Sequence, residues 1–163
     1  MNYIFLDIDG VLNNKNHYYK MHKKYGGRFF CEDMPFNPRS LKNLKWIIER
    51  TGGKNKTKIV LSSIWRMSDN CMVVLKARFA EYGIKLDKNL VTPRINGDKG
   101  LEIKTWLDNN ITEDDSYVII EDEINNISTY FLKDYVVHTN YTKGLTYFKA
   151  KEAIDKIYKQ IKK

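Results

Sequence analysis

Two aspartates two positions apart, Asp7 and Asp9, follow directly on the apolar run Tyr3-Ile4-Phe5-Leu6 and precede Gly10-Val11-Leu12. In an extended chain, side chains at i and i+2 point to the same side. A glycine just after them permits a sharp exit that turns backbone N–H groups toward a ligand. A carboxylate at a strand end, beside a cation, can attack phosphorus and form an aspartyl-phosphate. A second carboxylate can protonate the leaving oxygen and later deprotonate the attacking water. On this reading Asp7 is the nucleophile, Asp9 the general acid and base, and Gly10 part of the substrate-binding turn. An isolated Asp-x-Asp-Gly is more often a surface turn holding two acids. The wholly apolar run before this one argues for a buried strand end instead.

An anion attacking a phosphate works against repulsion, about 4 kcal/mol for like charges 4 Å apart at an effective dielectric near 20. A hard divalent cation removes that obstacle, and Mg²⁺ suits one or two carboxylates plus a substrate oxygen. Asp7, the main-chain carbonyl of Asp9, and Asp122 are the expected ligands. Asp122 sits in Glu121-Asp122-Glu123, three consecutive acids with no base beside them. Such a run is commonly a plain acidic turn, but these three repel one another unless a cation joins them. Ser62 and Ser63 follow a second apolar run, Ile59-Val60-Leu61. Hydroxyls and N–H groups at such a turn can hold phosphoryl oxygens, although serines at strand ends are usually turn residues. Arg66 can add a charge-assisted bond to phosphate. A fixed cation near both nucleophile and phosphate completes the set, with Lys99, Arg94 and Lys104 as candidates.

These residues need a scaffold that brings them together. Hydrophobic patterning and breakers predict strands at 3–7, 58–62, 117–120 and 135–139, with a further short one near 89–92. Helices are predicted between them. One opens at Asn37-Pro38, with Asn37 as N-cap and Pro38 in the first turn, and ends at Gly52-Gly53. One runs from about 68 to 82. One is capped by Asp98 and runs to about 110. The last carries the stripe Ala150, Ala153, Ile154, Ile157 and Ile161. Strands separated by helices imply one α/β domain over residues 1–163, a parallel sheet with helices on both faces. Ligands bind at the carboxyl ends of such strands. Asp7, Ser62 and Glu121-Asp122 each stand just past a strand and should meet in one crevice.

Composition sets the wider bounds. The 163 residues are 42% hydrophobic and 29% charged, an ordinary globular balance with enough chain for one core. The N-terminal apolar run lacks a basic head and ends in an acid, so no signal peptide is expected, and the expected location is the cytoplasm. Cys31 and Cys71 show no metal-ligand spacing and read as free thiols. The net charge of +8 favours an anionic partner or substrate.

The motifs together resemble the haloacid dehalogenase superfamily, which consists mostly of phosphatases. Asp7-Ile8-Asp9-Gly10-Val11-Leu12 is similar to its first motif, Ser62 to its second, Lys99 to its third and Glu121-Asp122 to its fourth. Phe5 to Asn13, with Val60-Leu61-Ser62-Ser63-Ile64-Trp65-Arg66, Leu101-Glu102-Ile103-x-x-Trp106-Leu107 and Lys143-Gly144-Leu145-Thr146, is similar to a subgroup of small domains. Some of these occur in multi-domain RNA-repair proteins. The resemblance spans Tyr3 to Thr146. It implies a three-layer Rossmann-like domain with a short cap or flap, and Mg²⁺-dependent hydrolysis of a phosphomonoester through an aspartyl-phosphate. In two places the chain departs from the pattern. The subgroup more often has arginine before its Glu-Ile pair, where this chain has Lys99 with extra spacing. Glu121 replaces a commoner aspartate, so metal binding is assigned to Asp122 and a supporting role to Glu121.

Residues 14–37 show neither helical nor strand periodicity and read as the flap. The segment is short, so the site should be open to large substrates, nucleic-acid ends included. It mixes cations (Lys15, Lys20, Lys23, Lys24, Arg28) with aromatics (Tyr18, Tyr19, Tyr25, Phe29, Phe30), and Gly26-Gly27 is a plausible hinge. Bases stack on aromatics while cations follow phosphates. The plainer alternative is a lid whose aromatics pack on the body. The expected substrate is a nucleotide or polynucleotide phosphate. The alternatives are a small-metabolite phosphatase, a dehalogenase, or a receiver-like module phosphorylated on an aspartate. The intact Asp9 speaks against the dehalogenase, and the acids at the wrong strands speak against the receiver.

Overall fold

Four apolar runs become four short strands: β1 (Asn2–Leu6), β2 (Thr57–Leu61), β3 (Ser116–Glu121) and β4 (Val136–His138). In the computed structural model, which describes residues 1–27, 33 and 36–161, they form one parallel sheet of order β2-β1-β3-β4. β1 lies at the centre. Leu6 is in register with Leu61 on one side and Ile120 on the other. The three long strands therefore end level, and the residues that follow them emerge at one rim. The sequence reading adds a strand near 89–92; that segment contributes a single bridge, Leu61 to Val91, because its hydrogen bonds to β2 stop after one rung.

Alternation along the strands builds a core on each face. Ile4, Leu6, Ile59, Leu61, Val118 and Ile120 face α2 (Pro38–Arg50), α4 (Asp69–Glu81) and α7 (Tyr147–Ile161). Phe5, Val60 and Ile119 face α5 (Lys99–Asn110), packing on Ile103, Trp106 and Leu107, with Ile127 of the one-turn α6 (Ile127–Tyr130) beside them. This is a three-layer α/β Rossmann-like architecture. Among the described residues, no helix is long and apolar enough to cross a membrane.

Helix boundaries follow local chemistry. The Asn37 side chain accepts from Arg39 N with Pro38 in the first turn, and Asp98 accepts from Leu101 N at the start of α5. α2 stops at Thr51, whose hydroxyl donates to Ile47 O at 2.8 Å, and α3 (Gly53–Lys56) follows as a single turn. Two expectations are corrected. Lys15–Tyr25 is a helix, α1, capped by the Asn14 side chain, which accepts from His17 N. It has no buried residue, so no apolar stripe marks it in the sequence. Cys71 is disulfide-bonded rather than a free thiol. Arg28, Phe29, Phe30 and Cys31 lie outside the described residues.

Candidate active site

The turn after β1 is a tight knot. Leu12 and Asn13 donate their N–H groups to Ile8 O, and Gly10 N donates to Asn13 O at 2.7 Å. Gly10 is held from outside by Thr139, whose hydroxyl donates to Gly10 O at 3.1 Å. Leu145 N donates to Val11 O at 2.8 Å, an approach that Gly144 permits: a Cβ there would stand 2.5 Å from that same carbonyl. These contacts fix the backbone that carries Asp7 and Asp9. They also correct the expected role of Gly10, whose N–H is already engaged. What Gly10 supplies is a φ of +74° and room, since a Cβ would fall 2.0 Å from the Asp122 carboxylate. The missing side chain is what lets Asp122 reach the end of β1.

Asp7 is buried, and one Oδ accepts a hydrogen bond from Lys99 Nζ at 3.1 Å. The same ammonium reaches Glu121 Oε2 at 2.6 Å. Lys99 occupies the first position of α5, after the Asp98 cap, so the fold aims its side chain into the crevice. Of the three cation candidates, Arg94 is exposed at the rim of the cleft and Lys104 pairs with Asp108 at 2.6 Å on the exposed face of α5. Asp7, Glu121 and Asp122 bring carboxylate oxygens within 4.8 Å of one another. Each pair of full charges at that distance repels by about 3 kcal/mol at an effective dielectric near 20. Glu121 Oε1 also accepts from the N–H groups of Asp122 and Glu123 at 3.2 and 3.3 Å. Glu121 is thus part of the cluster itself, nearer its centre than the supporting position read from the sequence.

The electrostatics record this crowding. Burial pushes the Glu121 carboxyl up to about 8, and the Asp7 charge adds to the effect, against the opposing pull of Lys99. Burial also raises Asp7, with Lys99 and Ser63 opposing. Burial alone would lower Lys99, but Asp7 and Glu121 outweigh it and hold the ammonium above its ordinary value. Once ionised, three carboxylates against one ammonium would leave a net negative pocket, and protonated or not it is lined by oxygen donors. That is the donor set a hard divalent cation takes, so the residues present fit one.

Asp9 is held differently. Trp65 Nε1 donates to its Oδ2 at 2.9 Å, and Asn13 Nδ2 reaches its Oδ1 at 3.4 Å. Trp65 stands in the turn 64–67 after β2, braced by the ring of Phe36 at 5.3 Å. Ser62 and Ser63 are buried at the end of β2, at the floor of the cleft, and the Ser62 hydroxyl has no hydrogen-bond partner. Arg66 departs from expectation. Its five N–H donors meet Thr92 O, Ser62 O, Ser63 O, Pro93 O and Glu102 Oε2, at 2.7 to 3.2 Å. No donor is left for a phosphate. Glu102 is buried on α5, and its other oxygen accepts from Ile95 N at 2.9 Å. Arg66 and Glu102 therefore clamp the Ser62 turn, the 92–95 segment and the helix of Lys99 into one unit.

Asp7, Asp9, Ser62, Ser63, Lys99, Glu121 and Asp122 line a single cleft of about 430 Å³, with Arg94, Ile64, Met67 and Tyr141 at its mouth. Lys104 does not reach it. Sequence reasoning missed the contacts of Trp65, Glu102 and Thr139; the first two lie in motifs quoted above, but nothing local assigns their partners. A family model for the HAD domain in Swiss Army Knife RNA repair proteins matches residues 3–150. Neither the curated proteins nor the solved structures give a significant match.

Proposed function

The chain belongs to the family of HAD domains in Swiss Army Knife RNA repair proteins, and from that premise we propose that it is a Mg²⁺-dependent phosphomonoester hydrolase acting on the phosphate of a nucleotide or a nucleic-acid end. One observation carries the reading. Asp7, bonded to Lys99, shares a cleft with Asp9, held by Trp65, and with the unpartnered Ser62 hydroxyl.

In the first half-reaction an Asp7 oxygen attacks phosphorus while the bond to the ester oxygen breaks, and Asp9 delivers a proton to that oxygen. The Trp65 and Asn13 donors hold the Asp9 carboxyl in the orientation this transfer needs. In the second half, water attacks phosphorus, Asp9 takes its proton, and the Asp7–phosphorus bond breaks to release inorganic phosphate. The Ser62 hydroxyl, Ser63 and the Lys99 ammonium bind the phosphoryl oxygens, where charge builds during transfer. Mg²⁺, held by Asp7, Asp122 and the Asp9 carbonyl with Glu121 beside them, would supply the positive charge that lets an anionic carboxylate approach an anionic phosphate. The open cleft and the family's association with RNA repair support a nucleic-acid end over a sugar phosphate.

A phosphate-release screen tests this. It compares sugar phosphates, mononucleotides and 3′- or 5′-phosphorylated oligonucleotides, each with Mg²⁺ and with chelator. Release from nucleotide substrates that stops on chelation is expected. Turnover of sugar phosphates alone would remove the nucleic-acid preference, and turnover that survives chelation would remove the metal.

A further inference from the structure

We propose that α1, with Tyr141 at its base, is the seat for a single-stranded polynucleotide whose terminal phosphate enters the cleft at Asp7. This deepens the phosphatase reading and rests on it. α1 is 11 residues long, carries Lys15, Lys20, Lys23 and Lys24, and contains no acid. At 100° per residue, these four lysines and Tyr19 share one half of the helix. That half is exposed, while Tyr18 and Met21 on the other half are partly covered.

Four lysines on other helices pair with a carboxylate one turn away. Lys45 pairs with Glu49, Lys104 with Asp108, Lys149 with Glu152 and Lys151 with Asp155. α1 carries no acid, and among the described residues none of its lysines makes an ion pair along about 16 Å of helix. Two of them lie over rings instead, with Lys15 Nζ 5.7 Å from the Tyr19 ring centroid and Lys24 Nζ 4.8 Å from that of Tyr25.

The helix starts at the mouth of the cleft. Lys15 N donates to Tyr141 O at 3.0 Å and Asn16 N to Thr142 O at 3.3 Å, and the half-exposed Tyr141 lines the cleft. A strand leaving the site thus meets an aromatic ring first and a row of lysines next. Alternating stacking surface and cations is what single-stranded nucleic acid requires. The lysine-bearing half of α1 packs on nothing, since the partly covered residues lie on its other half. Charge complementarity selects the occupant: a polyanion with planar groups.

The test reverses Lys20, Lys23 and Lys24 to Glu together. Binding of a short, dye-labelled, 3′-phosphorylated oligoribonucleotide is measured in the Asp7→Asn background, and turnover of p-nitrophenyl phosphate in the Asp7 protein. Oligonucleotide affinity is expected to fall at least 10-fold, and the slope of log affinity against log salt to lessen by about 2, near 0.7 for each phosphate no longer neutralised. Hydrolysis of the small ester should stay within twofold, which also certifies the fold. Unchanged oligonucleotide binding, or a parallel loss of small-ester turnover, would overturn the proposal. So would binding to phosphatidylcholine–phosphatidylserine vesicles without binding to the oligonucleotide. Loss of strand binding in the reversed protein supports the proposal even if neither ester is hydrolysed, an outcome that rejects the phosphatase reading alone.

Discussion

Two charged groups of the cleft are built on opposite principles. Around Arg66 every donor has an acceptor: four carbonyls and Glu102 surround one guanidinium, and the Glu102 oxygen left over takes Ile95 N. Around Asp7 the sum is unbalanced. Three carboxylates cluster beside one ammonium that pairs with two of them, and the nearby Ser62 hydroxyl faces no partner. A saturated buried network holds elements in place. An unsaturated one is where a ligand completes the set. The first region fixes the second, because Arg66 joins the Ser62 turn to the helix that presents Lys99.

The sharpest way to break the contrast is to remove the proposed nucleophile. Asp7→Asn keeps the shape and loses the attacking charge, so kcat/KM on p-nitrophenyl phosphate in Mg²⁺ should fall by at least about 10³-fold. The circular dichroism spectrum should not change, since Asn fits the space and relieves a repulsion. Near-normal turnover in this variant would reject Asp7 as nucleophile.

A second test asks whether the Arg66 region is structural. Arg66→Met leaves the buried Glu102 unpaired, and Glu102→Met leaves Arg66 unpaired. Breaking a buried pair from one side costs about 3–5 kcal/mol, and removing both members together costs less than the sum. Urea unfolding of both single variants and the double variant measures this. Strict additivity would mean that the two side chains do not support each other, and the division between holding and binding regions would fail.

What the sequence discloses follows the range of each interaction. The alternation Ile4-Phe5-Leu6, the cap at Asn37-Pro38 and the cap at Asp98 are local, and the fold repeats them. The convergence of Asp7, Ser62 and Glu121-Asp122 was legible because parallel strands put their ends at one rim. The partners of Arg66 were not, since they depend on where residues 92–93 return, 26 or 27 positions along the chain. A guanidinium four residues past Ser62 reads as a phosphate ligand until those carbonyls are placed. α1 was missed for the reverse reason. Hydrophobic periodicity reports burial, and a helix with no buried residue leaves no such trace.

The smallest expected effect is a shift in stability, and it isolates the charge imbalance itself. Glu121 is raised from 4.5 to about 8 and Asp7 is raised as well, each first by burial. A carboxyl raised in the folded state holds its proton more tightly folded than unfolded. The stability it contributes is complete below the unfolded value and is lost as pH rises through the folded one. In chelator, the thermal midpoint should therefore fall between about pH 4.5 and pH 8 by more than it does in a Glu121→Gln variant. On the proposed reading Mg²⁺ would take the place of the departing protons, so the midpoint gained on adding it should grow over the same interval. Equal gains from Mg²⁺ at pH 5 and pH 8.5, or a Glu121→Gln protein with the parent pH profile, would show that the carboxylates are compensated by something other than a cation.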